Sequence, residues 1–299
     1  MGTANTPPIV TIVTPSYNHS SFLEEAIASV LRQDYPQIEY IVVDAGSTDG
    51  THAILAKYAH RLTFYTGPDR GTADAVNKGF LHSRGDIFAY LNADDTYAPD
   101  AVSTIVDVMT TEPSIGMIYG DALWVDESGR RIGSYPTKPY DAQLLSKECF
   151  ICQPASFIRR EVFERAGMMN PNLHFGFDYD LWIRIARLSS IRKIDAVLAT
   201  SRMHLSNKTL GRRRDGLRET LLILKKHFGY VPFEPVLAYA SHLVDKRDQF
   251  FEPLQPSPWN YLLSLPVGLR YNLGQPVRFL KEWAGVMSLA GWKRNLARL

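Results

Sequence analysis

Residues 9–31 read IVTIVTPSYNHSSFLEEAIASVL, and this stretch decides the fold class. Its first six residues are apolar or β-branched, which is typical of a strand buried on both faces. After the polar segment PSYNHS, apolar residues recur at helical spacing from Leu23 to Leu31, and Ser21 with Glu24 forms the pattern of a capping box. The stretch therefore predicts a buried strand, a short polar loop and a helix capped by Ser21.

The same order of strand and helix repeats as far as residue 109. Strands are predicted at residues 40–43, 62–66 and 87–91, and helices at residues 53–58, 72–82 and 99–109. This alternation predicts a parallel sheet with helices on both faces, in which ligands bind at the carboxyl ends of the strands. Beyond residue 115 shorter strand-like runs occur at residues 117–119, 122–125 and 132–135, so the sheet is expected to become mixed.

The composition excludes several classes of protein. The chain has 299 residues, 45% hydrophobic and 21% charged, so it is expected to be globular and is long enough for two domains. A formal net charge of +2 gives no global field that would attract nucleic acid, and no nucleic-acid partner is expected. Two cysteines are too few for a disulfide scaffold, and the first residues lack the pattern of a signal peptide, which together indicate a cytoplasmic protein.

Adjacent carboxylates follow the predicted strand at residues 87–91, where the sequence reads LNADD up to Asp95. A carboxylate at a buried strand end needs a partner, because desolvating an unpaired anion is expensive. Magnesium or manganese is one such partner, since it typically takes one or two protein carboxylates and its other ligands from water and substrate phosphates. The alternative is that Asp94 or Asp95 caps the helix beginning near Pro99, and LNADD alone leaves both interpretations open.

Asp44 ends the second predicted strand and begins the polar segment DAGSTDGT. A carboxylate fixed there can accept a hydrogen bond from a ligand N–H, and the backbone of the following loop can help to hold a nucleotide. The alternative is an Asx-type turn, in which the carboxylate binds the backbone of its own loop. Taken alone, the segment favours the turn.

Four segments of the first 95 residues read TPSYN at residues 14–18, VVDAGSTDGT at 42–51, PDRGTADAVNKG at 68–79 and RGDIFAYLNADD at 84–95. In this order they resemble the motifs of the family-two glycosyltransferases with the GT-A fold. The likeness continues through QPASFIRREVFERAG at 153–167 and FDYDLWIRI at 177–185 to the sequence Arg202-Met203-His204. It covers residues 9–208, and four motifs in the expected order are more specific than any one of them.

The resemblance implies an α/β protein with a GT-A-type, Rossmann-like mixed sheet, helices on both faces and a mostly helical C-terminal extension. Residues 1–208 would form the catalytic domain, with a nucleotide-binding half at about 9–110 and an acceptor half at about 111–208. Residues 209–299 would form an extension rich in basic and aromatic residues.

The resemblance also implies a donor site for a UDP- or dTDP-sugar. The base would lie against Thr14, Pro15 and Tyr17, with its imide N–H on Asp44. Further donor contacts are implied for residues that match the other motifs, namely Arg70, Asp74, Lys78, Asn92 and Asp95. The bland alternative for Asp74 and Lys78 is an ordinary helix pair four residues apart.

A metal site for Mn²⁺ or Mg²⁺ is implied at Asp94 and His204. The family's D-x-D element has an acid where this chain has Asn92, and this departure leaves the weight of metal binding on Asp94, aided by Asp95. The alternative for His204 is an ordinary surface or core histidine.

The implied reaction is an inverting displacement at the anomeric carbon of the sugar by an acceptor hydroxyl, with a nucleoside diphosphate leaving. Asp178 matches the family's catalytic base, although Phe177 stands where the family usually has a glutamate, and Asp180 is the competing candidate. The alternative for both aspartates is that they offset a helix dipole. Gln153 would line the side of the acceptor, which would be a glycan or a polyprenyl-linked glycan.

Basic and aromatic residues are interspersed in the last part of the chain. After residue 252 these are Trp259, Tyr261, Arg270, Tyr271, Arg278, Phe279, Lys281, Trp283, Trp292, Lys293, Arg294 and Arg298. This mixture suits peripheral contact with the inner face of a membrane, and it suits a helical cap on the catalytic domain equally well. Upstream, residues 202–214 lack an apolar period and are predicted to form a loop, whose arginines 212–214 are either a lid over phosphates or a solvated basic segment.

Three other functions are weighed against the glycosyltransferase. A protein of the same fold that binds nucleotide sugars or glycans without turnover is favoured by Asn92 and Phe177. A nucleotidyltransferase would share the carboxylate and metal chemistry, but no glycine- and arginine-rich loop follows Pro15. A Rossmann dehydrogenase is disfavoured because no GxGxxG follows the first strand.

Overall fold

The strand β1 (Val10–Ser16) is buried along its whole length and lies in the interior of the sheet. In the computed structural model, which describes residues 6–204, 207–244 and 257–288, it pairs in parallel with β2 (Ile38–Asp44) and β4 (Ile87–Tyr90). The strand β3 (Thr63–Thr66) pairs in parallel with β2 and forms an exposed edge. The helices that connect these strands are α1 (Ser20–Leu31), α2 (Thr51–Tyr58) and α3 (Thr72–Leu81).

Beyond β4 the sheet becomes mixed, as predicted. The further strands are β5 (Thr96–Tyr97), β6 (Ile115–Val125), β7 (Arg131–Ser134), β8 (Ser156–Arg159) and β9 (Ser190–Arg202). The order is β3-β2-β1-β4-β8-β6-β9-β5 with β7 beside β6; β8 is antiparallel to β4 and β6, whereas β9 is parallel to β6. The helices of this part are α4 (Ala101–Thr111), α6 (Arg160–Arg165) and α7 (Phe177–Ile185). The α/β class with a mixed sheet is therefore confirmed.

Helices cover both faces of the sheet because each face buries apolar side chains. On one face, Leu23 of α1 and Ile105 of α4 belong to a large cluster of buried residues. On the other, Phe80 of α3 stacks on Phe88 of β4 with ring centroids 4.3 Å apart, and Phe163 of α6 packs edge-on against both. Burial of each such side chain contributes about 1.5–3 kcal/mol, so the core holds the strand ends in fixed positions.

The chain divides into two units, Met1–Asp141 with Phe150–His204 and Ala142–Cys149 with Leu205–Leu299. The whole sheet belongs to the first unit. The described part of the second unit consists of α5 (Ala142–Leu145), α8 (Lys208–Gly211), α9 (Arg213–Phe228), α10 (Phe233–Val244), α11 (Pro258–Tyr271) and α12 (Pro276–Met287). The predicted C-terminal helices are therefore present.

Within the second unit, Asn272 fixes the connection between α11 and α12. It is fully buried, its Nδ2 donates to the Val231 and Gly268 carbonyls at 2.9 and 3.0 Å, and its Oδ1 accepts from the Val231 N–H at 2.8 Å. Gly268 has no room for a side chain, because a Cβ there would lie 1.9 Å from Phe279 Cζ. The buried amide and the close approach at Gly268 give this unit a defined helix packing of its own.

The loop predicted for residues 202–214 is wrong for most of its length. The strand β9 continues to Arg202, α8 follows at residues 208–211 and α9 begins at Arg213. Arg212 lies between the two helices and pairs with Asp215 at 2.6 Å. The helix α8 has four residues, which are too few to carry a periodic signal, so the sequence did not indicate it.

The capping box predicted at Ser21 is also absent. The helix α1 begins at Ser20, and its N-cap His19 makes no side-chain cap hydrogen bond. Instead the Ser20 N–H donates to Asp49 Oδ2 at 2.8 Å. The start of α1 is therefore held by a residue from the loop before α2, a contact across the fold that local pattern does not reveal.

Part of the basic and aromatic tail lies outside the described residues, namely Trp292, Lys293, Arg294 and Arg298. Among the helices in the described ranges, none combines the length and the apolar character that crossing a membrane requires.

Candidate active site

The carboxyl ends of β2, β1 and β4 lie side by side at one edge of the sheet. Ser16 of β1 is opposite Asp44 of β2. The Leu91 N–H donates to the Val13 carbonyl at 2.9 Å, which extends the pairing of β4 with β1 by one residue. The segments PSYN, DAGS and NADD therefore leave the sheet at the same edge, where parallel sheets bind their ligands.

Asp44 is fully buried and organises its own loop. Its Oδ2 accepts hydrogen bonds from the Gly46 and Ser47 N–H groups at 3.1 and 2.9 Å, and its Oδ1 accepts one from the Ser47 hydroxyl at 2.5 Å. His52 Nε2 lies 3.1 Å from the same Oδ2. The Asx-type turn is thus formed, and the contact between Asp44 and a base stays a prediction.

The two loops after β1 and β2 are joined by Asn18. Its N–H donates to Ser47 Oγ at 2.8 Å, and its Oδ1 accepts from the Thr48 N–H at 2.9 Å. Asn18 has a left-handed backbone with φ of 56°, which asparagine tolerates better than most residues. Because the backbone N–H and the side-chain oxygen of Asn18 both bond to the loop after β2, the two loops form one continuous wall of the site.

Of the three residues predicted to face a base, Tyr17 is the one with an exposed side chain. Tyr17 is 58% exposed, whereas Thr14 is fully buried and Pro15 is buried as well. The Thr14 hydroxyl lies 3.0 Å from the Tyr40 hydroxyl inside the sheet. Thr14 and Pro15 therefore shape the strand end from within, and Tyr17 is the residue that presents a ring at the surface.

Asp94 and His204 are far apart in sequence and in contact in the fold. Asp94 Oδ2 lies 3.0 Å from His204 Nε2, and the side chains are 13% and 3% exposed. The His204 ring packs against Phe22, with centroids 5.0 Å apart. The two predicted metal ligands are thus brought together at the edge where β4 ends.

Asn92, Asp95 and Gln153 form a hydrogen-bonded group beside this pair. Asn92 Nδ2 donates to Asp95 Oδ2 at 3.1 Å and to Gln153 Oε1 at 3.0 Å, and Gln153 Nε2 donates to the Tyr90 carbonyl at 2.7 Å. Burial, and then the charge of Asp94, raise the pKa of Asp95 well above its usual value, against hydrogen bonds from Arg202 and Asn92. Gln153, predicted to line the acceptor side, lies in this group and fixes the orientation of Asn92.

A buried arginine to which the sequence analysis assigned no role supports the whole group. Arg202 is 3% exposed, its N–H donates to Asp95 Oδ1 at 2.9 Å, and its guanidinium lies 5.1 Å from the centre of the Phe22 ring. Its guanidinium donors are accepted by four oxygen atoms, those of the Asp94, Asp126 and Glu127 carbonyls and of the Glu25 carboxylate. Arg202 therefore fixes the backbone of the metal-ligand candidate Asp94.

Arg70, Asp74 and Lys78 form one ion network at the start of α3. Asp74 Oδ1 accepts from Arg70 at 2.8 Å, and Asp74 Oδ2 lies 3.1 Å from Lys78 Nζ. The hydrogen bond from Arg70 lowers the pKa of Asp74 to about 2. The helix pair of Asp74 and Lys78 is real, and the added Arg70 leaves two partly exposed cations near the site edge.

The two candidate bases, Asp178 and Asp180, both lie in the first turn of α7 but differ in their burial and in the groups that they contact. Asp180 is 1% exposed, and its Oδ2 accepts from Arg184 Nε at 2.9 Å. Asp178 is half-buried in the first turn and accepts from the Tyr179 N–H at 2.7 Å. Its neighbour Phe177 packs on Tyr90, the last residue of β4, with centroids 6.3 Å apart, which places the start of α7 at the same edge of the sheet.

The family model described as glycosyl transferase family 2 matches residues 11–167 of this chain. This chain belongs to glycosyl transferase family 2. Among the curated relatives of this family 2 member, an uncharacterized glycosyltransferase of Rickettsia typhi is 30% identical over 212 residues, covering 68% of this chain and 66% of that protein. The O-antigen biosynthesis protein RfbC of Myxococcus xanthus is 29% identical over 189 residues, covering 61% of this chain and 15% of RfbC. The matches thus span less than two thirds of these relatives' own lengths.

Solved structures share the fold of this family 2 protein at low identity. Residues 1–349 of S. aureus TarS in complex with UDP-GlcNAc align with a TM-score of 0.60 and 14% identity, covering 88% of this chain and 82% of that one. The mannosyltransferase PcManGT of Pyrobaculum calidifontis, in complex with GDP-Man and Mn²⁺, aligns with a TM-score of 0.55 and 21% identity, covering 98% of this chain and 80% of that one. Such likeness shows the common fold.

The side chains present in this family 2 site fit a metal ion that a nucleotide brings with it. Within residues 6–204, 207–244 and 257–288, no group of three or more His, Cys, Asp or Glu side chains is arranged to hold a metal. Mn²⁺ or Mg²⁺ bound to a diphosphate needs only one or two protein ligands, however. Asp94 Oδ2 and His204 Nε2, which lie 3.0 Å apart, are the two protein groups that would hold such an ion.

Proposed function

We propose that this protein transfers a sugar from a UDP- or dTDP-type nucleotide sugar to a hydroxyl of a glycan or polyprenyl-linked glycan, with inversion at the anomeric carbon. The observation that carries the proposal is the contact between Asp94 and His204 at the carboxyl edge of the sheet. The family, the O-antigen biosynthesis relative RfbC and the UDP-GlcNAc complex of TarS agree with a nucleotide-sugar donor and a polysaccharide product.

The donor would lie on the wall formed by the loops after β1 and β2. The exposed Tyr17 ring offers a face on which a base stacks. Asp44 has one oxygen, Oδ1, that accepts a single hydrogen bond in the structure, and this oxygen retains capacity for the imide N–H of a uracil or thymine. Arg70 and Lys78 would place positive charge near the diphosphate, while Asn92, whose Nδ2 donates to Asp95 and Gln153, would accept a ribose hydroxyl at its Oδ1.

Asp94 and His204 would hold Mn²⁺ or Mg²⁺, which supplies charge stabilisation for the departing diphosphate when bound. Arg202 keeps Asp94 in place through its carbonyl, and Asn92 and Gln153 keep Asp95 in place beside it. This support matters because groups that stabilise a leaving group act only if they are already oriented when the bond breaks.

Asp178 is the general base in this proposal. The acceptor hydroxyl must lose its proton as it attacks, and a carboxylate within hydrogen-bond reach takes that proton. Asp178 is half-buried at the sheet edge, whereas the Asp180 carboxylate is buried against Arg184. Asp178 would thus accept the proton, and Asp180 would hold α7 in place.

The test uses the whole chain with Mn²⁺, a panel of nucleotide sugars and short glycan acceptors, with release of nucleoside diphosphate as the readout. Asp178→Asn is expected to lower kcat by about 10²- to 10⁴-fold with little change in donor Kd. Asp94→Ala is expected to weaken metal-dependent donor binding, and the exposed Asp195→Asn serves as the control with unchanged kinetics. Transfer at the wild-type rate by Asp178→Asn would contradict the assignment of the base.

One observation favours a second function, a nucleotide-sugar-binding protein without turnover. Asn92 stands at the first acidic position of the D-x-D element, and its amide is already engaged with Asp95 and Gln153. In that case donor binding would persist, but no nucleoside diphosphate would be released even by slow donor hydrolysis with Mn²⁺. Release above the Asp94→Ala background supports the transferase instead.

The proposed place of action is the cytoplasm, at the inner face of a membrane. Cys149 and Cys152 are not joined in a disulfide, which suits a reducing compartment. Trp259, Leu273 and Val277 of the second unit are 70%, 79% and 62% exposed, and apolar side chains among basic residues favour anionic headgroups. The double variant Trp259→Ser/Leu273→Ser should co-sediment less with anionic vesicles than the wild type does. The control Leu222→Ser, which also changes an exposed leucine, should co-sediment as the wild type does. Equal binding by the wild type, the double variant and Leu222→Ser would refute membrane contact.

A further inference from the structure

A cavity of about 350 Å³ lies within the second unit. Arg214 and Arg218 of α9 line it from one side and Arg270 of α11 lines it as well. Arg214 and Arg218 are four residues apart, so both project from the same face of α9. Three guanidinium groups from two helices therefore converge on one space, and none of the residues that line it is acidic.

The three arginines have no partners in the part of the chain that the structure describes. Arg214, Arg218 and Arg270 make neither a hydrogen bond nor an ion pair with any described residue, whereas the neighbouring Arg212 is paired with Asp215. Like charges four residues apart on a helix repel each other, and a third cation across the cavity adds to that repulsion. An anion in the cavity would remove this repulsion and accept hydrogen bonds from all three side chains.

The rest of the lining is aromatic and aliphatic. Tyr239 is 9% exposed and is the most buried of these residues, while Tyr271, Leu243 and Val267 are half-buried. Neither tyrosine hydroxyl has a hydrogen-bond partner among the described residues, although buried tyrosine hydroxyls usually find one. The cavity thus combines a cationic rim with an apolar interior that carries two further donors.

We propose that this cavity binds a phosphate ester, with the phosphate held by Arg214, Arg218 and Arg270 and its apolar group packed between Tyr239, Leu243 and Val267. Guanidinium groups pair with phosphate oxygens through two parallel hydrogen bonds, and a planar fork of this kind is more selective for phosphate than an ammonium group. The volume is at the lower end of the range for small-molecule sites, which suits a phosphate with a short apolar group. Every residue that lines the cavity belongs to the second unit, and the proposal does not depend on sugar transfer.

The phosphate ester has two possible sources, a soluble phosphorylated molecule or the headgroup of a lipid, and the experiment distinguishes them. Binding of hexyl phosphate and of inorganic phosphate to the whole chain is measured by calorimetry, and binding to phosphatidylcholine vesicles with and without phosphatidic acid by co-sedimentation. Saturable binding of hexyl phosphate would indicate a soluble phosphate ester. Binding to the vesicles that contain phosphatidic acid, without binding of hexyl phosphate, would indicate a lipid headgroup. Either result supports the site if the arginines are required for it.

The double variant Arg214→Gln/Arg218→Gln tests that requirement. It is expected to weaken binding about tenfold or more, because each lost charged hydrogen bond lowers affinity by about that factor. Lys225→Gln/Lys226→Gln removes the same charge from α9 outside the cavity and should leave the affinity unchanged, and Arg214→Lys/Arg218→Lys should retain part of it. Equal loss in the two glutamine variants would reduce the effect to general charge attraction and overturn the proposal. So would the absence of saturable binding in every arm, or inorganic phosphate binding as tightly as hexyl phosphate.

Discussion

A single buried guanidinium at position 202 connects three segments of the first unit. Arg202 donates to the Asp94 carbonyl at 2.9 Å, to the Glu127 carbonyl at 2.9 Å and to the Glu25 carboxylate at 2.6 Å. A lysine keeps the charge but has one nitrogen, which cannot reach these acceptors together. Arg202→Lys is therefore expected to lower the free energy of unfolding by about 3 kcal/mol, measured by urea denaturation.

The same substitution should also weaken nucleotide binding in Mn²⁺ more than nucleotide binding without it, because the Asp94 backbone loses its support. Arg131→Lys provides the matched control, since Arg131 is exposed on β7 and its guanidinium donates one hydrogen bond, to the Ser134 hydroxyl. Its effect should stay within about 0.5 kcal/mol. If Arg202→Lys were as stable as the wild type, the guanidinium would not be the support described.

Asp74 makes stability depend on pH in a defined direction. Arg70 lowers the pKa of Asp74 to about 2, below the ordinary value of about 3.9, so the folded state favours the ionised form. The resulting stability is fully present above the ordinary pKa and is lost as the pH falls towards 2. Because Arg70 and Lys78 are partly exposed, we expect Asp74→Asn to cost about 1–2 kcal/mol at neutral pH, discounted for solvent screening.

The measurement is urea unfolding of wild type and Asp74→Asn at neutral pH and at a series of acidic values. The difference between the two proteins should shrink steadily from about pH 5 and vanish only below pH 2, where Asp74 is protonated in both the folded and the unfolded state. Asp107→Asn, on the exposed side of α4, should change stability by less than about 0.5 kcal/mol throughout. A difference that stays constant with pH would mean that the Asp74 charge contributes nothing.

At the scale of single residues, the sequence predicted the ligand candidates but not what holds them. Asp94 and His204 follow from motifs, whereas their 3.0 Å contact depends on the pairing of β9 with β5, the short strand that begins two residues after Asp94. Arg202 gives no sign of its burial in the sequence, because arginine is usually exposed and its acceptors come from distant segments. Asp44 shows the reverse case, since the turn that local chemistry favours is the one that forms.

Two helices share one capping residue, and this element can be tested. Asp49 Oδ2 accepts from the Ser20 N–H at 2.8 Å, and Asp49 Oδ1 accepts from the Thr51 N–H and hydroxyl at 3.0 and 2.6 Å. Burial opposes the charge of Asp49, but the hydrogen bonds from Thr51 and Ser20 outweigh it and hold its pKa below the usual value. Asp49→Ala should therefore destabilise the starts of α1 and α2 together, by about 2 kcal/mol in urea unfolding.

Ser21→Ala is the matched comparison, because the sequence predicts Ser21 as the cap and the structure gives it no capping hydrogen bond. Its cost should be below about 0.5 kcal/mol. If Ser21→Ala lowered the free energy of unfolding by about 1 kcal/mol and Asp49→Ala lowered it by less, Ser21 would be the cap of α1, as the sequence predicts.

The elements that the sequence predicted are those with a clear period or a buried apolar run. The strands β1, β2 and β4 and the helices α1 and α3 lie at the positions that the sequence predicts, and their ends differ from the predicted ones by one or two residues. The strand β6 was predicted as two runs because Gly120 and Asp121 interrupt it, but the structure has one strand with register shifts there. A Cβ at Gly120 would lie 2.6 Å from the Ala196 carbonyl oxygen, so this glycine allows β9 to approach closely and does not end the strand.

At the scale of the whole molecule, the candidate site combines residues inside the region that matches the family model with residues beyond it. The match ends at residue 167, so it includes Asp94 and Gln153 but neither Asp178 nor His204. Those two residues are delivered by α7 and by the end of β9, which completes the sheet beyond β6. The short strands β5 and β8, which pair with β9 and β4, carry no period of their own, and their positions follow from their pairing with these longer-range neighbours in the sheet.

Because these ligand candidates come from different parts of the first unit, binding of a metal nucleotide should stabilise the native state as a whole. A ligand at about one hundred times its Kd adds about 2.7 kcal/mol, which raises Tm by about 4 °C in a chain of this size. We therefore expect UDP with Mn²⁺ to raise Tm more than UDP alone in scanning calorimetry. Asp94→Ala and His204→Ala should each remove the additional shift due to the metal, and the double variant should lose no more than either single one, because residues that share one ion are not additive. Asp195→Asn, exposed on β9, should keep the full shift. A shift that survives in His204→Ala while Asp94→Ala abolishes it would leave the metal on the carboxylate alone and would reduce the 3.0 Å contact to an ordinary hydrogen bond.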